Sequence, residues 1–287
     1  MGSTTPTAGL PVETPRLRTS RTGLLRWARS VDVLGLLGLV LLVASWWLVT
    51  RVVSRTAVPL PQDVFRRVGE DFFSAPELAL YGVGQNGLLD SMIYTVENVL
   101  LAVAVGGTVG TLAGLSSARI RIVREVIDPI VLTAGTIPIL VTAPFFLIWF
   151  GVERVSGILL VVLYVSTILY IFAQRAADNL DPVYEDAART LGASRRHMTR
   201  DVLIPGTVPE ILGGIRIALA GAWGLEAIAE LLGLPNGIGK IIQVLAQQTD
   251  AEGIMAALVF LGAVAVVFDG LTAAGFRWLT RWSRTWT

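Results

Sequence analysis

Six apolar stretches, an arginine distribution that alternates from loop to loop, and a shortage of charge predict an all-α membrane protein with six transmembrane helices. Of 287 residues 53% are hydrophobic and only 16% charged, whereas soluble domains carry about a quarter charged residues. There is no cysteine, which excludes disulfides, iron-sulfur clusters, thiolate zinc sites and cysteine nucleophiles. A single histidine, His197, argues against a metal centre.

A bilayer core takes about 20 mostly apolar residues. The stretches that meet this are roughly residues 33–53, 91–115, 126–150, 155–173, 211–232 and 254–276. Residues 1–30, rich in Thr, Pro, Ser and Arg, read as a largely disordered tail, with 31–287 as the transmembrane domain. The third stretch contains Pro138 and Pro144, so a kinked or broken helix is expected, its freed carbonyls satisfied by neighbouring helices or water. Gly106, Gly110 and Gly114 on the second stand four apart, which allows close helix packing. With the N-terminus inside, the inner segments hold sixteen of the 23 cationic residues. By the positive-inside rule both termini are then cytoplasmic.

The stretch DAARTLGASRRHMTRDVLIP, residues 186–205, interrupts this oily pattern. A short helix should begin near Tyr184 with Ala187, Ala188 and Leu191 on one side, and Gly192 can end it in the left-handed conformation. Ser194 then reads as the N-cap of a second helix that stops before Pro205. Thr207 to Glu210 has the form of a capping box where the fifth span begins. Two short helices with a sharp bend form an ordered basic knob, and such a knob wants a partner. A lipid-facing surface helix is the other reading of its arginines, but the Ala-Ala face is small for embedding in lipid.

Asp186-Ala187-Ala188, three residues, Gly192, nine residues, then Val202-Leu203-Ile204-Pro205 is similar to the EAA loop of binding-protein-dependent ABC importer permeases. Asp replaces the usual Glu, Val the Ile and Ile the Leu. Resemblance extends to LPQDVFRRV, IDPIVLTAGTIPILVTAPFFLIWFGV, TLGASRRHMTRDVLIP, and GGIRIALAGAW followed by AELLG, over about residues 59–280. Together these resemble the nitrate/sulfonate/taurine branch. The resemblance implies the type I ABC importer permease fold. It also implies a coupling loop over about residues 174–209, in which Asp186, Ala187, Ala188, Leu191, Gly192 and Pro205 form the contact with a cytosolic ATP-binding subunit. A homodimer of this chain in the lipid bilayer is implied, fed by an extracytoplasmic solute-binding protein. The expected cargo is a small organic solute such as a sulfonate, a nitrate-like anion or a small heterocycle. No cofactor and no nucleic acid is implied.

Catalytic motifs are absent. The text GLPNGIGKI at residues 233–241 lacks the first P-loop glycine and has Ile241 where the magnesium-binding hydroxyl belongs, and it reads as a loop. Ser116 and Ser117 lack nucleophile-elbow glycines. No catalysis by this polypeptide is expected. Charges inside spans point by default to a site. Arg216 and Asp269 fall at similar depth on the fifth and sixth spans and are expected to pair across helices at an inner gate. Glu226 and Glu230 stand four apart on one face of the fifth, where like charges repel unless one is protonated or paired. Glu97 and Asn98 lie at comparable depth on the second. These make a candidate polar patch on the pathway, and an acidic path would oppose an anionic cargo. An ion-coupled secondary transporter using Glu226, Glu230 or Asp269 is the alternative, and it leaves the residue 186–205 pattern unexplained.

Overall fold

The structure is a computed structural model and describes residues 33–54, 57–84 and 86–281. The expected tail over residues 1–30 lies outside the described residues. Contacts divide the chain into two units, residues 1–49 and 50–287. The described part of the first belongs to helix α1, Val33–Val52. Leu36, Leu39, Leu41, Leu42, Trp47 and Leu48, which lie around the helix, are all exposed, the signature of a helix whose solvent is hydrocarbon. Ser45 returns its hydroxyl to Leu42 O at 2.8 Å, which keeps that donor from facing lipid unpaired.

In the second unit, α2 (Pro61–Glu70) starts with proline at its first position, where the missing N–H costs nothing. A short turn of helix, α3 (Pro76–Ala79), follows. Then come α4 (Gly87–Arg119), α5 (Arg121–Thr136), α6 (Ile139–Phe150) and α7 (Arg154–Asp178). After the 186–205 region lie α10 (Ile204–Leu231), α11 (Ile238–Gln247) and α12 (Ala251–Leu279). Among the described residues five helices are long and apolar enough to cross a membrane, or six spans if α5 and α6 count as one broken span.

The centre of the unit is α7, with α4 and α10 on it. The glycines of α4 explain the close approach. A Cβ at Gly106 would lie 2.8 Å from Val162 O, at Gly110 2.3 Å from Ser166 O and at Gly114 2.4 Å from Tyr170 O. Both helices therefore present a four-residue repeat, and the α7 backbone fills the space a side chain would need. On the other side, Gly214 receives the Phe172 ring and Gly221 the Tyr164 hydroxyl. The core between these helices is small and aliphatic, with Val99, Ala102, Val165, Leu169, Ala218 and Ala222 all buried.

The third span breaks at Pro138. Ile137 is extended, as the residue before proline prefers, and the axes of α5 and α6 differ by 103°. Pro144 lies inside α6 without ending it. Three local expectations are corrected. The chain does not stop being helical before Pro205: a π-helical turn, Met198–Leu203, runs straight into α10, with Pro205 in its first turn. A wider π turn leaves a backbone carbonyl unclaimed, so a proline without N–H can follow it at no further cost. Thr207 and Glu210 are accordingly no capping box. Thr207 is buried in the helix and gives its hydroxyl to Leu203 O at 2.9 Å. The 233–241 text is not simply a loop, since Ile238 opens α11, whose Ile238, Ile241 and Leu245 are buried.

Candidate functional site

The 186–205 region is built as two short helices and a bend. Helix α8, Pro182–Thr190, is capped by Asp181, whose carboxylate accepts from Val183 N at 2.9 Å. It ends with Gly192 at φ +78°. Gly192 N donates to Arg189 O at 2.9 Å and Ala193 N to Ala188 O at 3.0 Å, the pair of bonds that closes a helix when the residue after it turns left-handed. Ser194 caps the next turn, α9 (Arg195–His197), by accepting from His197 N at 3.4 Å. The imidazole Nδ1 meets the same hydroxyl at 2.8 Å, so the single histidine serves the cap. Asp186 and Ala187 are exposed, and Leu191 is 88% exposed. The bend thus displays a large apolar side chain on an ordered frame. Pro205 stands apart from this surface, within α10.

One tie of this region was not visible in the sequence. Arg119, the last residue of α4, donates from Nη2 to Glu185 Oε1 on α8, and Arg189 reaches the other carboxylate oxygen at 3.5 Å. The Arg119 hydrogen bond holds the Glu185 carboxyl below the usual carboxylate range. The two residues are 66 apart, a separation at which no local pattern pairs them.

Arg216 and Asp269 meet between α10 and α12. Arg216 donates Nε to Asp269 Oδ1 at 3.0 Å and Nη2 to Oδ2 at 2.6 Å, the two-pronged geometry that a guanidinium and a carboxylate make best. Both side chains are about half exposed. Removing either partner strands a charge on a hydrocarbon-facing helix. We therefore expect Arg216→Ala and Asp269→Ala each to lower thermal stability, with the double variant recovering about 0.5 kcal/mol or more relative to additivity. A thermodynamic cycle on the detergent-solubilised protein measures it, and strict additivity would reject a working pair.

The acidic residues of α10 face inward. Glu226 and Glu230 are fully buried, each with its own donor. Asn98 Nδ2 gives to Glu226 Oε1 at 2.7 Å, and Thr95 Oγ1 to Glu230 Oε1 at 2.8 Å. Gly239 N, at the start of α11, donates to Glu230 Oε2 at 2.9 Å, and Ile238 N to Thr95 Oγ1 at 3.0 Å. Glu230 thus caps α11 from another helix, which separates the two carboxylates by function as well as by partner. Arg154 completes the cluster, donating Nε to Asn98 Oδ1 at 2.5 Å and Nη2 to Glu97 Oε2 at 2.8 Å while lying 4.8 Å from the Tyr94 ring centre. A polar cleft of about 390 Å³ is lined by Asp90, Tyr94, Glu97 and Asn236 among others. It takes in Glu97 but neither Glu226 nor Glu230. The structure brings Glu97, Asn98, Glu226 and Glu230 into one polar layer with Thr95 and Arg154, and of these six only Glu97 lines the cleft. The sequence reading missed Thr95 and Arg154: a threonine on an apolar helix and an arginine at a helix start carry no distinguishing pattern. Among the described residues no group of three or more His, Cys, Asp or Glu side chains is arranged to hold a metal ion.

Residues 106–284 match the family described as binding-protein-dependent transport system inner membrane component. The chain is similar to the taurine transport system permease protein TauC of Escherichia coli (strain K12), 29% identical over 90% of this chain and 92% of the relative. It is also similar to the putative aliphatic sulfonates transport permease protein SsuC of Bacillus subtilis (strain 168), 28% identical over 88% of each chain. Among solved structures, a bacterial ABC transporter involved in the import of the acidic polysaccharide alginate superposes with a TM-score of 0.60, at 18% identity, over 89% of this chain and 99% of that one.

Proposed function

The chain belongs to the family of binding-protein-dependent transport system inner membrane components, a permease subunit rather than an enzyme, and from that premise we propose that it admits a small sulfonate-type anion to the cytoplasm on energy from a separate ATPase. The observation that carries this is the α8–α9 bend. A stiff capped helix, a left-handed glycine and the exposed Leu191 form a compact knob, the shape a lever needs in order to be gripped. Asp186, Ala187, Ala188 and Leu191 form the gripped surface, and both termini and the knob lie in the cytoplasm, where the arginines concentrate. Two copies of the chain form the path, and an extracytoplasmic solute-binding protein delivers the cargo; the family's binding-protein-dependent description supports the second of these. Helix α5 buries no residue against its own chain, which supports a second copy against it.

The sulfonate class is supported by the two permease relatives. The polar core lessens the objection that an anion would meet an acidic path, because Glu226 and Glu230 are enclosed and hydrogen-bonded instead of lining the cleft, and Glu97, which lines it together with Asp90, is paired with Arg154. The same enclosure weighs against an ion-coupled carrier: two of its candidate sites have no opening, and the third, Asp269, is held by Arg216.

The test is purification of the C-terminally tagged chain in mild detergent, with identification of what accompanies it and measurement of ATP-driven uptake in vesicles. A P-loop ATPase in equal amount, and taurine or alkylsulfonate uptake that stops without ATP, are expected. Gly192→Val has open space for its side chain but must adopt a conformation that costs about 1–2 kcal/mol even before β-branching. It should leave the protein in the membrane with its ATPase bound while ATP hydrolysis proceeds without uptake. Wild-type coupling in that variant, or a chain that purifies alone and ignores ATP, would sink the proposal.

A further inference from the structure

Helix α8 poses a mechanical problem. It buries no residue, so apolar packing does not hold it to the membrane-embedded helices. Its packing within the chain is on the π-helical turn that follows it. A helix held that way would swivel about Gly192 when pushed, and its displacement would be lost before it reached the spans.

Across from it is the end of α4. Arg119 closes that 33-residue helix, which is about 50 Å long at 1.5 Å per residue. Along its length α4 carries the glycine seam to α7, and farther on Asn98 and Thr95, which reach Glu226 and Glu230 on α10. It is packed along its length on the central helix α7, and its last side chain is the one that reaches α8. Glu185, the acceptor, is only 18% exposed and Arg119 35%, so the pair is partly shielded from water. Around it lies a cleft of about 680 Å³ lined also by Arg189, Ala193, Arg195 and Met198. Arg189 approaches Glu185 at 3.5 Å and Asp186 at 3.8 Å, which orients the carboxylate toward Arg119 from behind.

We infer that the Arg119–Glu185 ion pair is the strut through which motion of α8 reaches the membrane-spanning helices, with Arg119 and Glu185 acting as positioning residues for coupling. Unlike the exposed Asp186–Leu191 surface, the strut is a contact within the chain. It makes α8 and α4 one rigid body, so that a push on the knob becomes a shift of α4 along the α7 seam. Two further ion pairs at this end, Arg124 to Asp178 at 2.8 Å and Arg121 to Glu125 at 2.7 Å, tie α5 to α7 and to itself. Neither involves α8. The strut's role in transport rests on the permease reading; its mechanical part does not.

The experiment uses the absence of cysteine. Spin labels on Val183→Cys of α8 and Leu112→Cys of α4, both exposed positions, report the distance between the two helices in the solubilised full chain. The expected result is a narrow distribution that broadens in Arg119→Gln and in Glu185→Gln, and narrows again in the charge-exchanged pair Arg119→Glu with Glu185→Arg. A distribution unchanged by Arg119→Gln overturns the strut, whatever the protein transports. In vesicles with the co-purified ATPase, either single variant should lower solute moved per ATP hydrolysed by about fivefold or more, the low end of measured site-to-site coupling. The exchanged pair should restore a substantial part of it. Broadening with an unchanged transport ratio leaves the contact real but overturns its part in coupling. A wild-type chain that shows no ATP-driven transport refutes the permease proposal instead, with the distance measurement still deciding the mechanical claim. Because the glutamine variants remove charge without adding bulk, loss of folding is separable by gel-filtration profile, and a misfolded single variant rescued by the exchange supports the strut equally.

Discussion

Gly110→Ala will sharply reduce the amount of monodisperse protein recovered, whereas Gly107→Ala three residues earlier will be neutral or mildly stabilising. Alanine favours a helix over glycine by up to about 1 kcal/mol, so propensity alone predicts a gain at both. At Gly107 nothing lies within 4 Å of the added methyl group, and the gain stands. At Gly110 the methyl would sit 2.3 Å from Ser166 O, 2.8 Å from Ser166 Cα and 2.9 Å from its carbonyl carbon. None of these atoms can rotate away, since all belong to the α7 backbone. Relief requires the helices to separate along the whole seam, which also opens the contacts at Gly106 and Gly114. A cost of about 3 kcal/mol, the upper end for overpacking, should therefore be a minimum. Melting of the detergent-solubilised protein followed by gel filtration measures both variants, and equal behaviour of the two would show that the seam does not bind α4 to α7.

Glu230→Ala should rank close behind, and its damage should appear first in α11 rather than in α10 where the residue resides. Removing the carboxylate strands Gly239 N and leaves the Thr95 hydroxyl only the longer bond to Ser91 O at 3.2 Å, and a buried polar group abandoned outright costs about 1–3 kcal/mol. A cavity is left as well, because Glu230 packs directly against Gly237, whose hypothetical Cβ would lie 2.1 Å from its carboxyl carbon. Glu230→Gln keeps one acceptor oxygen and should lose roughly half as much. Hydrogen exchange at the amides of Ile238 and Gly239 is the direct readout: fast exchange in the alanine variant at temperatures where α10 remains protected is expected. Uniform loss of protection across the chain would mean that Glu230 supports the whole bundle and not the α11 cap in particular.

Both predictions depend on contacts between residues far apart in the chain, and there lies the boundary of what could be read in advance. Lipid exposure demands long apolar runs, so all six spans were legible, including the interruption at Pro138, where proline's geometry forces the issue locally. Gly192 and Ser194 were legible for the same reason, since a left-handed turn and an N-cap are decided within a few residues. Even the Arg216–Asp269 pair could be anticipated, because a charge in hydrocarbon must find its opposite and the chain offered one at matching depth. Where the reading went wrong, a local rule met a competing structure: Pro205 ends an ordinary helix but not one that widens into a π turn, and Thr207 caps nothing once the helix has already begun.

By itself, then, the sequence determined the membrane class, the apolar runs that can cross a bilayer, the knob between the fourth and fifth of them, and the family whose pattern that knob carries. Only the tertiary structure decided that Glu226 and Glu230 are enclosed supports, that α11 is a buried helix capped by one of them, that Gly106, Gly110 and Gly114 of α4 meet the α7 backbone, and that Arg119 reaches Glu185. The physical reason is range. Solvation by lipid and backbone sterics act on each residue where it stands, but a hydrogen bond between Thr95 and Glu230, 135 residues apart, exists only after the helices that carry them have packed.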